Sequence, residues 1–235
     1  MEHNIDALIQ RKKEKKMPRI LWSGRFLDWK HPDDAVALAA HLKSEGFAFE
    51  LVLVGGGELE PELKAQIVSE GLDDVIRMPG FLRPEEVRDQ MELADIFLFT
   101  SDYREGWGAV LNEAMNSGCA VVANVAAGAS AYLVNHGENG FVYENKNRED
   151  FFTHVKYLLE REDVREMMGR NAYETIAFTW NAKTASKELL KLCNQITEKK
   201  EVSFAEYGPG SKAPVISQRK MYEYVLKRKC ESRNK

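Results

Sequence analysis

The chain has 235 residues, 44% of them apolar and 30% charged, with a formal net charge of -4. That content sustains one sizeable core with appendages; no stretch reaches the ~18 to 20 consecutive apolar residues of a membrane span, and the charged segment 1–16 lacks a signal-peptide core, so a cytoplasmic protein is expected. The two ends together carry +7, leaving -11 on residues 17–216, which excludes nucleic acid as main partner, and the scattered Cys119, Cys193 and Cys230 exclude a Cys-type metal site and a disulfide framework and fit a reducing compartment.

In chain order, residues 19–23 (RILWS) form an apolar run ending at Gly24, and Pro32 opens a helical pattern with Ala35, Leu38 and Ala39 facing inward. Residues 49–54 (FELVLV) read as a strand ending at Gly55-Gly56-Gly57, followed by helical spacing over 59–69 and a closing Gly71. The triplet invites a dinucleotide-fingerprint reading, but its required third glycine is Glu60. A third strand is expected over 74–78, a helix over 84–93 with Pro84 in its first turn, and a fully apolar fourth strand over 95–100 (DIFLFT). A helix over 108–117 and strands at 120–123 and 141–143 follow, the last after the Asn139-Gly140 turn. Asn147, with Asp150 three residues on, caps a helix through Glu160, and further helices are expected over 162–178, 181–198 and 218–228, the last with Met221, Tyr222, Val225 and Leu226 on one face. Strands that are apolar throughout, separated by helices of ~10 residues, predict a Rossmann-like α/β layer: a parallel sheet with helices on both faces. The expected domains are a charged segment (1–17), the sheet body (18–198), and a linker with a basic tail (199–235). The tail carries seven Lys/Arg against two Glu over 217–235 and could touch an anionic membrane peripherally or remain a solvated tail.

The chemistry concentrates in residues 105–113 (EGWGAVLNE), directly after the apolar strand ending at Thr100. Ligands of open parallel sheets bind outside the carboxyl ends of strands, where this loop lies. Gly106 and Gly108 allow close backbone approach, and the helix they open directs free N–H groups and a positive dipole end outward, which suits a diphosphate. Glu105 and Glu113 lie up to ~12 Å apart at helical rise, a span matching hydroxyls on two sugars joined by a diphosphate. A second element, residues 24–30 (GRFLDWK), follows the first strand: Arg25 can fork onto phosphate oxygens and Lys30 adds a mobile point charge. On the residues alone, two surface glutamates on an amphipathic helix and a solvated loop with ordinary cations are the competing readings. His31 belongs either to the ligand loop or to the start of the next helix, and Trp107 either walls a pocket or packs beneath the helix start.

These stretches resemble family 4 of the retaining, nucleotide-sugar-dependent glycosyltransferases of the two-domain GT-B type. Residues 105–113 match its E-x7-E motif, continued by 114–123 (AMNSGCAVVA); 24–30 match its Gly-Arg followed by a Lys; 78–82 (MPGFL) resemble its strand-end turn beside the nucleobase; and 135–142 (NHGENGFV) resemble a structural turn before its last strand. The resemblance implies the donor-binding, carboxy-terminal half of a GT-B fold. It implies that Glu105 contacts the donor hexose, that Glu113 binds the ribose hydroxyls, and that the amides of Gly106, Trp107, Gly108, Ala109, Val110 and Leu111 hold phosphate or sugar. It further implies that Gly24, Leu82 and Arg83 line the nucleotide, and that Arg25 and Lys30 offset leaving-group charge without an obligatory divalent ion. The implied donor is a UDP- or GDP-sugar and the implied chemistry is hexosyl transfer with retention, by default in cell-surface polysaccharide synthesis. The matching region, roughly 18–198, is one half of such an enzyme. Its acceptor domain would lie on another polypeptide, or the chain would be a non-catalytic nucleotide-sugar-binding or partner-stabilising module. One departure is visible: where many relatives have Pro-Glu before an apolar helix, this chain reads Ala127-Gly128-Ala129-Ser130-Ala131-Tyr132.

Overall fold

Six strands, β1 (Arg19–Arg25), β2 (Glu50–Gly56), β3 (Ile76–Gly80), β4 (Ile96–Phe99), β5 (Ala120–Asn124) and β6 (Gly140–Tyr143), form one parallel sheet in the order β3-β2-β1-β4-β5-β6. The computed structural model describes residues 4–213 and 215–232; the extreme ends of the charged N-terminal segment and the basic tail, and the side chain of Cys230, lie outside the described residues. β4 and β5 are buried at every position. That burial is the reason their sequences are apolar throughout instead of alternating, since a parallel sheet is covered on both faces.

One face packs against α2 (Pro32–Ser44), α3 (Glu60–Ser69) and α7 (Arg148–Glu160), burying Leu38, Leu63 and Phe151 among others. The opposite face packs against α4 (Pro84–Leu93), α5 (Ala109–Asn116) and part of α8 (Glu162–Glu174), burying Met91, Leu111 and Ala172. The Rossmann-like layer expected from the strand and helix alternation is therefore present. Local signals set several of the boundaries. Pro32 and Pro84 sit in the first turns of α2 and α4, where a missing N–H costs nothing. The Asn147 side chain accepts from the Asp150 amide at 3.1 Å and starts α7.

The helix α1 (Ile5–Lys13) is not anticipated by the charged composition of its segment. Asn4 caps it through the amides of Asp6 and Ala7, and Leu8 and Ile9 are buried. The buried Lys12 donates to the Gly118 carbonyl at 2.9 Å and to the Ala94 carbonyl at the end of α4. An ammonium held by carbonyls fastens α1 to two elements over 80 residues away in sequence. Lys12→Ala should cost about 1.5–3 kcal/mol, because the carbonyls lose a charged donor in a site closed to water. Urea unfolding checks this: the midpoint should fall at unchanged slope, and an unchanged midpoint would mean that Lys12 contributes nothing to stability.

After α8 a π turn over Thr175–Thr179 leads to α9 (Ala182–Thr197), none of whose residues is buried; Leu189, Leu190 and Ile196 are each more than half exposed. α10 (Gln218–Ser232) returns to the body, burying Val225 to 1% exposure and packing Met221 and Tyr222 against the core. The Tyr222 hydroxyl donates to Asp150 Oδ2 at 2.9 Å. Three of the four residues of the apolar face expected over 218–228, Met221, Tyr222 and Val225, thus pack on the protein's own core. No helix among the described residues is long and apolar enough to cross a membrane.

Candidate functional site

The strand order turns back on itself at β1, which lies between β2 and β4. In open α/β sheets the crevice outside the carboxyl ends of the strands at such a point receives ligands. Two loops leave it here, residues 26–31 after β1 and residues 100–108 after β4.

Polar contacts lash these loops together. The Trp22 indole N–H donates to the Thr100 hydroxyl at 2.7 Å, and that hydroxyl donates to the Lys30 carbonyl at 2.5 Å. The Asp102 amide donates to the Trp29 carbonyl at 2.9 Å. Arg104 reaches back to Asp28 at 2.9 Å and also holds Asp102 at 3.2 Å. Burial pushes the Asp102 carboxyl up, but hydrogen bonds from the Arg104 side chain and amide, with electrostatic attraction to Arg104 and His31, outweigh it and leave Asp102 below the ordinary carboxylate range. The Arg104 hydrogen bond likewise lowers Asp28. His31 sits at φ 48, ψ 53, a left-handed conformation uncommon for a residue with a side chain, and its imidazole lies 3.4 Å from Asp102. It stands at the start of α2 and serves the loop junction.

Within this frame Lys30 and Glu105 meet directly, with Nζ and Oε2 2.5 Å apart and both side chains about one-sixth exposed or less. The Lys30 ammonium also lies 4.5 Å from the centre of the Trp29 ring. Arg25, at the exposed end of β1, and Glu113, exposed on α5, make no side-chain hydrogen bond or ion pair among the described residues. Of the five charged candidates the structure brings Lys30 and Glu105 together, pairs Arg83 with Glu86, and leaves Arg25 and Glu113 unpaired among the described residues.

Backbone geometry shapes the rest. Gly108 has φ 86, and a Cβ there would lie 2.2 Å from the Phe99 ring, so only glycine fits the point where the loop turns into α5. The first N–H groups of α5, at Ala109 and Val110, point out of the helix start as those of any helix do, whereas the Leu111 amide donates to the Gly108 carbonyl at 2.9 Å and its side chain is buried. Gly106 is open on its Cβ side, whereas a Cβ on Gly24 would lie 3.1 Å from the Trp22 ring, a tight contact. Leu82 and Glu113 both line a cavity of 680 Å³ between α4, α5 and the π turn, together with Val87, Met91, Asn112 and Ile176. Arg83 is turned away from it, pairing with Glu86 at 3.3 Å while the Glu86 carboxylate accepts the Arg83 amide at the start of α4.

The segment that departs from the family pattern also belongs here. The amides of Gly128 and Ala129 donate to the carbonyls of Glu105 (3.2 Å) and Trp107 (2.9 Å), and a Cβ on Gly128 would come within 1.9 Å of the Gly106 carbonyl oxygen. A lone glycine among alanines was the sequence signal for that close approach. Tyr132 stacks on Trp107, with ring centres 5.9 Å apart at 28°. Trp107 itself donates its indole N–H to Asn112 at 2.8 Å and is 38% exposed.

The family model of glycosyl transferases group 1 matches residues 5–175. The putative colanic acid biosynthesis glycosyltransferase WcaL of Salmonella typhimurium is 30% identical over 69% of this chain, and this chain spans only 41% of its length. Among solved structures, the C-terminal domain of a glycosyl transferase group 1 family protein (LpcC) from Francisella tularensis superposes with a TM-score of 0.64 at 26% identity, covering 72% of this chain and 90% of that one. Anabaena Alr3699/HepE, solved in complex with UDP, superposes with a TM-score of 0.62 at 25% identity, covering 83% of this chain and 51% of that one.

Proposed function

Because this chain belongs to the group 1 glycosyl transferases, we propose that it is the donor-binding, carboxy-terminal half of a retaining family 4 enzyme of GT-B architecture, moving a hexose from a UDP- or GDP-sugar to a glycan acceptor in polysaccharide synthesis. The observation that carries the reading is the Lys30–Glu105 pair in the crevice beside β1, directly before the glycine-bounded start of α5, with Arg25 at the end of β1 and Glu113 on α5 exposed and unpaired among the described residues. The solved relative that holds UDP supports a nucleoside diphosphate as ligand.

In this reading residues 18–198 are the nucleotide-sugar-binding body, with α1 fastened beneath it and 199–235 as linker and tail. The outward amides around Gly106, Gly108, Ala109 and Val110 receive phosphate or sugar oxygens. Glu113 accepts from the ribose hydroxyls, with Gly24 and Leu82 against the nucleotide. Glu105 accepts from hydroxyls of the hexose, and the Lys30 ammonium, released from Glu105 as the sugar takes its place, moves toward the diphosphate. As the anomeric bond breaks, negative charge grows on the diphosphate, and Arg25 and Lys30 stabilise it more than they stabilise the ground state, which is what lowers the barrier. The acceptor enters on the same face of the sugar as the departing diphosphate, which gives retention.

The acceptor half is supplied by another stretch of polypeptide, consistent with a chain that spans less than half the length of its WcaL relative and with the uncovered Leu189, Leu190 and Ile196 of α9. The Lys30–Glu105 pair favours a second reading, a non-catalytic nucleotide-sugar-binding module, because each group neutralises the other before any ligand arrives. Calorimetric titration with a panel of UDP- and GDP-sugars tests the proposal: saturable binding of one donor at a single site is the expected result. Absence of binding to every donor and to both free nucleoside diphosphates would sink both readings.

A further inference from the structure

Trp107 is the one large side chain between the glycines of residues 105–108, and its ring does not enter the sheet core. Its indole lies 5.9 Å from Tyr132 and 5.9 Å from Trp180, and Trp180 in turn meets Tyr207 edge-on at 5.9 Å and 82°. The four rings come from four parts of the chain: the loop after β4, the short helix α6 (Ser130–Leu133), the residue after the π turn, and the segment beyond α9. That last segment is itself pinned. A Cβ on Gly208 would lie 2.9 Å from Thr179 and one on Gly210 3.1 Å from Glu188, so the backbone of residues 208–210 rests on the π turn and on α9. Residues 205 and 211 close it through a β-bridge.

Offset and edge-to-face rings at these separations attract beyond their burial, and since Gly106 and Gly108 bring no side chains, the rings add to what the Lys30–Glu105 pair and the Gly128 and Ala129 amides already hold. From this arrangement we infer that Trp180, backed by Tyr207, is a positioning residue for the donor site: through the Trp107 ring it holds residues 105–108 in the conformation that presents their amides, so the segment beyond α9 forms part of the site's support. The inference rests on the donor-binding reading only for its consequence on affinity; the bracing itself is a statement about the free protein.

The test uses the full chain with Trp180→Ala, Trp180→Phe and Tyr207→Ala, and two readouts. In amide hydrogen exchange of the free protein, Trp180→Ala should speed exchange over residues 104–110 about three- to tenfold, the loss of one or two ring contacts, while β4 and β5 keep their protection. Trp180→Phe should restore most of it, and Tyr207→Ala should give a smaller change of the same sign. Calorimetry with UDP and GDP should show affinity for the bound nucleotide falling by the same factors. Loop exchange unchanged in both alanine variants would overturn the bracing, and Tyr207→Ala decides alone if Trp180→Ala unfolds the sheet. Loosening of the loop in a protein that binds neither nucleotide would uphold the bracing and defeat the donor reading, so the two failures are distinct.

Discussion

Glu113→Ala is expected to weaken nucleotide binding about 10- to 100-fold, equally for a nucleoside diphosphate, its monophosphate and the bare nucleoside. A carboxylate accepting from ribose hydroxyls contributes charge-assisted bonds of about 1.5–3 kcal/mol, and each 1.4 kcal/mol is about tenfold in affinity. The prediction is sharp because Glu113 has no structural duty to confuse it. It is exposed on α5, lines the cavity with Leu82, and its carboxylate pairs with nothing among the described residues. Alanine is also the better helix former, so unfolding should be unchanged or slightly later. Arg25→Ala supplies the contrast. In the proposed reading the guanidinium at the end of β1 serves phosphate, so this substitution should weaken the diphosphate about tenfold or more, through loss of a bidentate ionic contact, and leave the nucleoside untouched. Calorimetry of both variants against the three ligands gives the matrix. Equal losses from both on the nucleoside would refute the division of labour between ribose and phosphate.

The largest expected effect on stability comes from Gly55→Ala. β1 and β2 run in register with Gly24 opposite Gly55, and Gly55 has φ 127. A Cβ there would stand 1.9 Å from the Gly24 carbonyl oxygen, a backbone atom that cannot swing aside. Overpacking costs about 1–3 kcal/mol and a side chain held at positive φ about 1–3 more, so roughly 3 kcal/mol or more is at stake. For a chain of this size that lowers the thermal midpoint by about 6–12 °C. Gly71→Ala is the control, since it too has positive φ (63) but nothing within 4 Å of its Cβ; it should lose only about 1–2 kcal/mol. Equal shifts in the two variants would show that backbone strain alone matters and that the strand contact does not. The Gly55–Gly57 triplet, which tempts a dinucleotide reading, is accounted for by this packing: Gly57 approaches the Phe26 backbone as Gly55 approaches Gly24, and both let the ends of β1 and β2 close on each other.

Much of this protein could be read from short windows of chain. Apolar runs ending in glycine mark β1 and β2, and a fully apolar run marks β4; Pro32, Pro84 and Asn147 announce their helices; and the spacing of Glu105, Gly106, Gly108 and Glu113 marks a strand-loop-helix junction suited to a diphosphate. These signals are local because backbone conformation, capping and the two hydrophobic periods are decided by neighbours within a few residues. α1 shows the limit of that reading, since a segment rich in charge became a packed helix once Lys12 found carbonyls 82 and 106 residues further along the chain. The Lys30–Glu105 pair, Gly128 pressed on Gly106, and the Trp107–Trp180–Tyr207 chain of rings were likewise beyond it. Each joins residues at least 22 positions apart, and their meeting depends on β1 lying beside β4 and on the chain's return after α9. The sequence by itself determined the strands of the sheet, the main helices that cover it and which residues carry charge at their ends. Only the tertiary structure decided which of those charges meet, because side-chain encounters across a sheet follow from strand order and packing, to which no local pattern gives access.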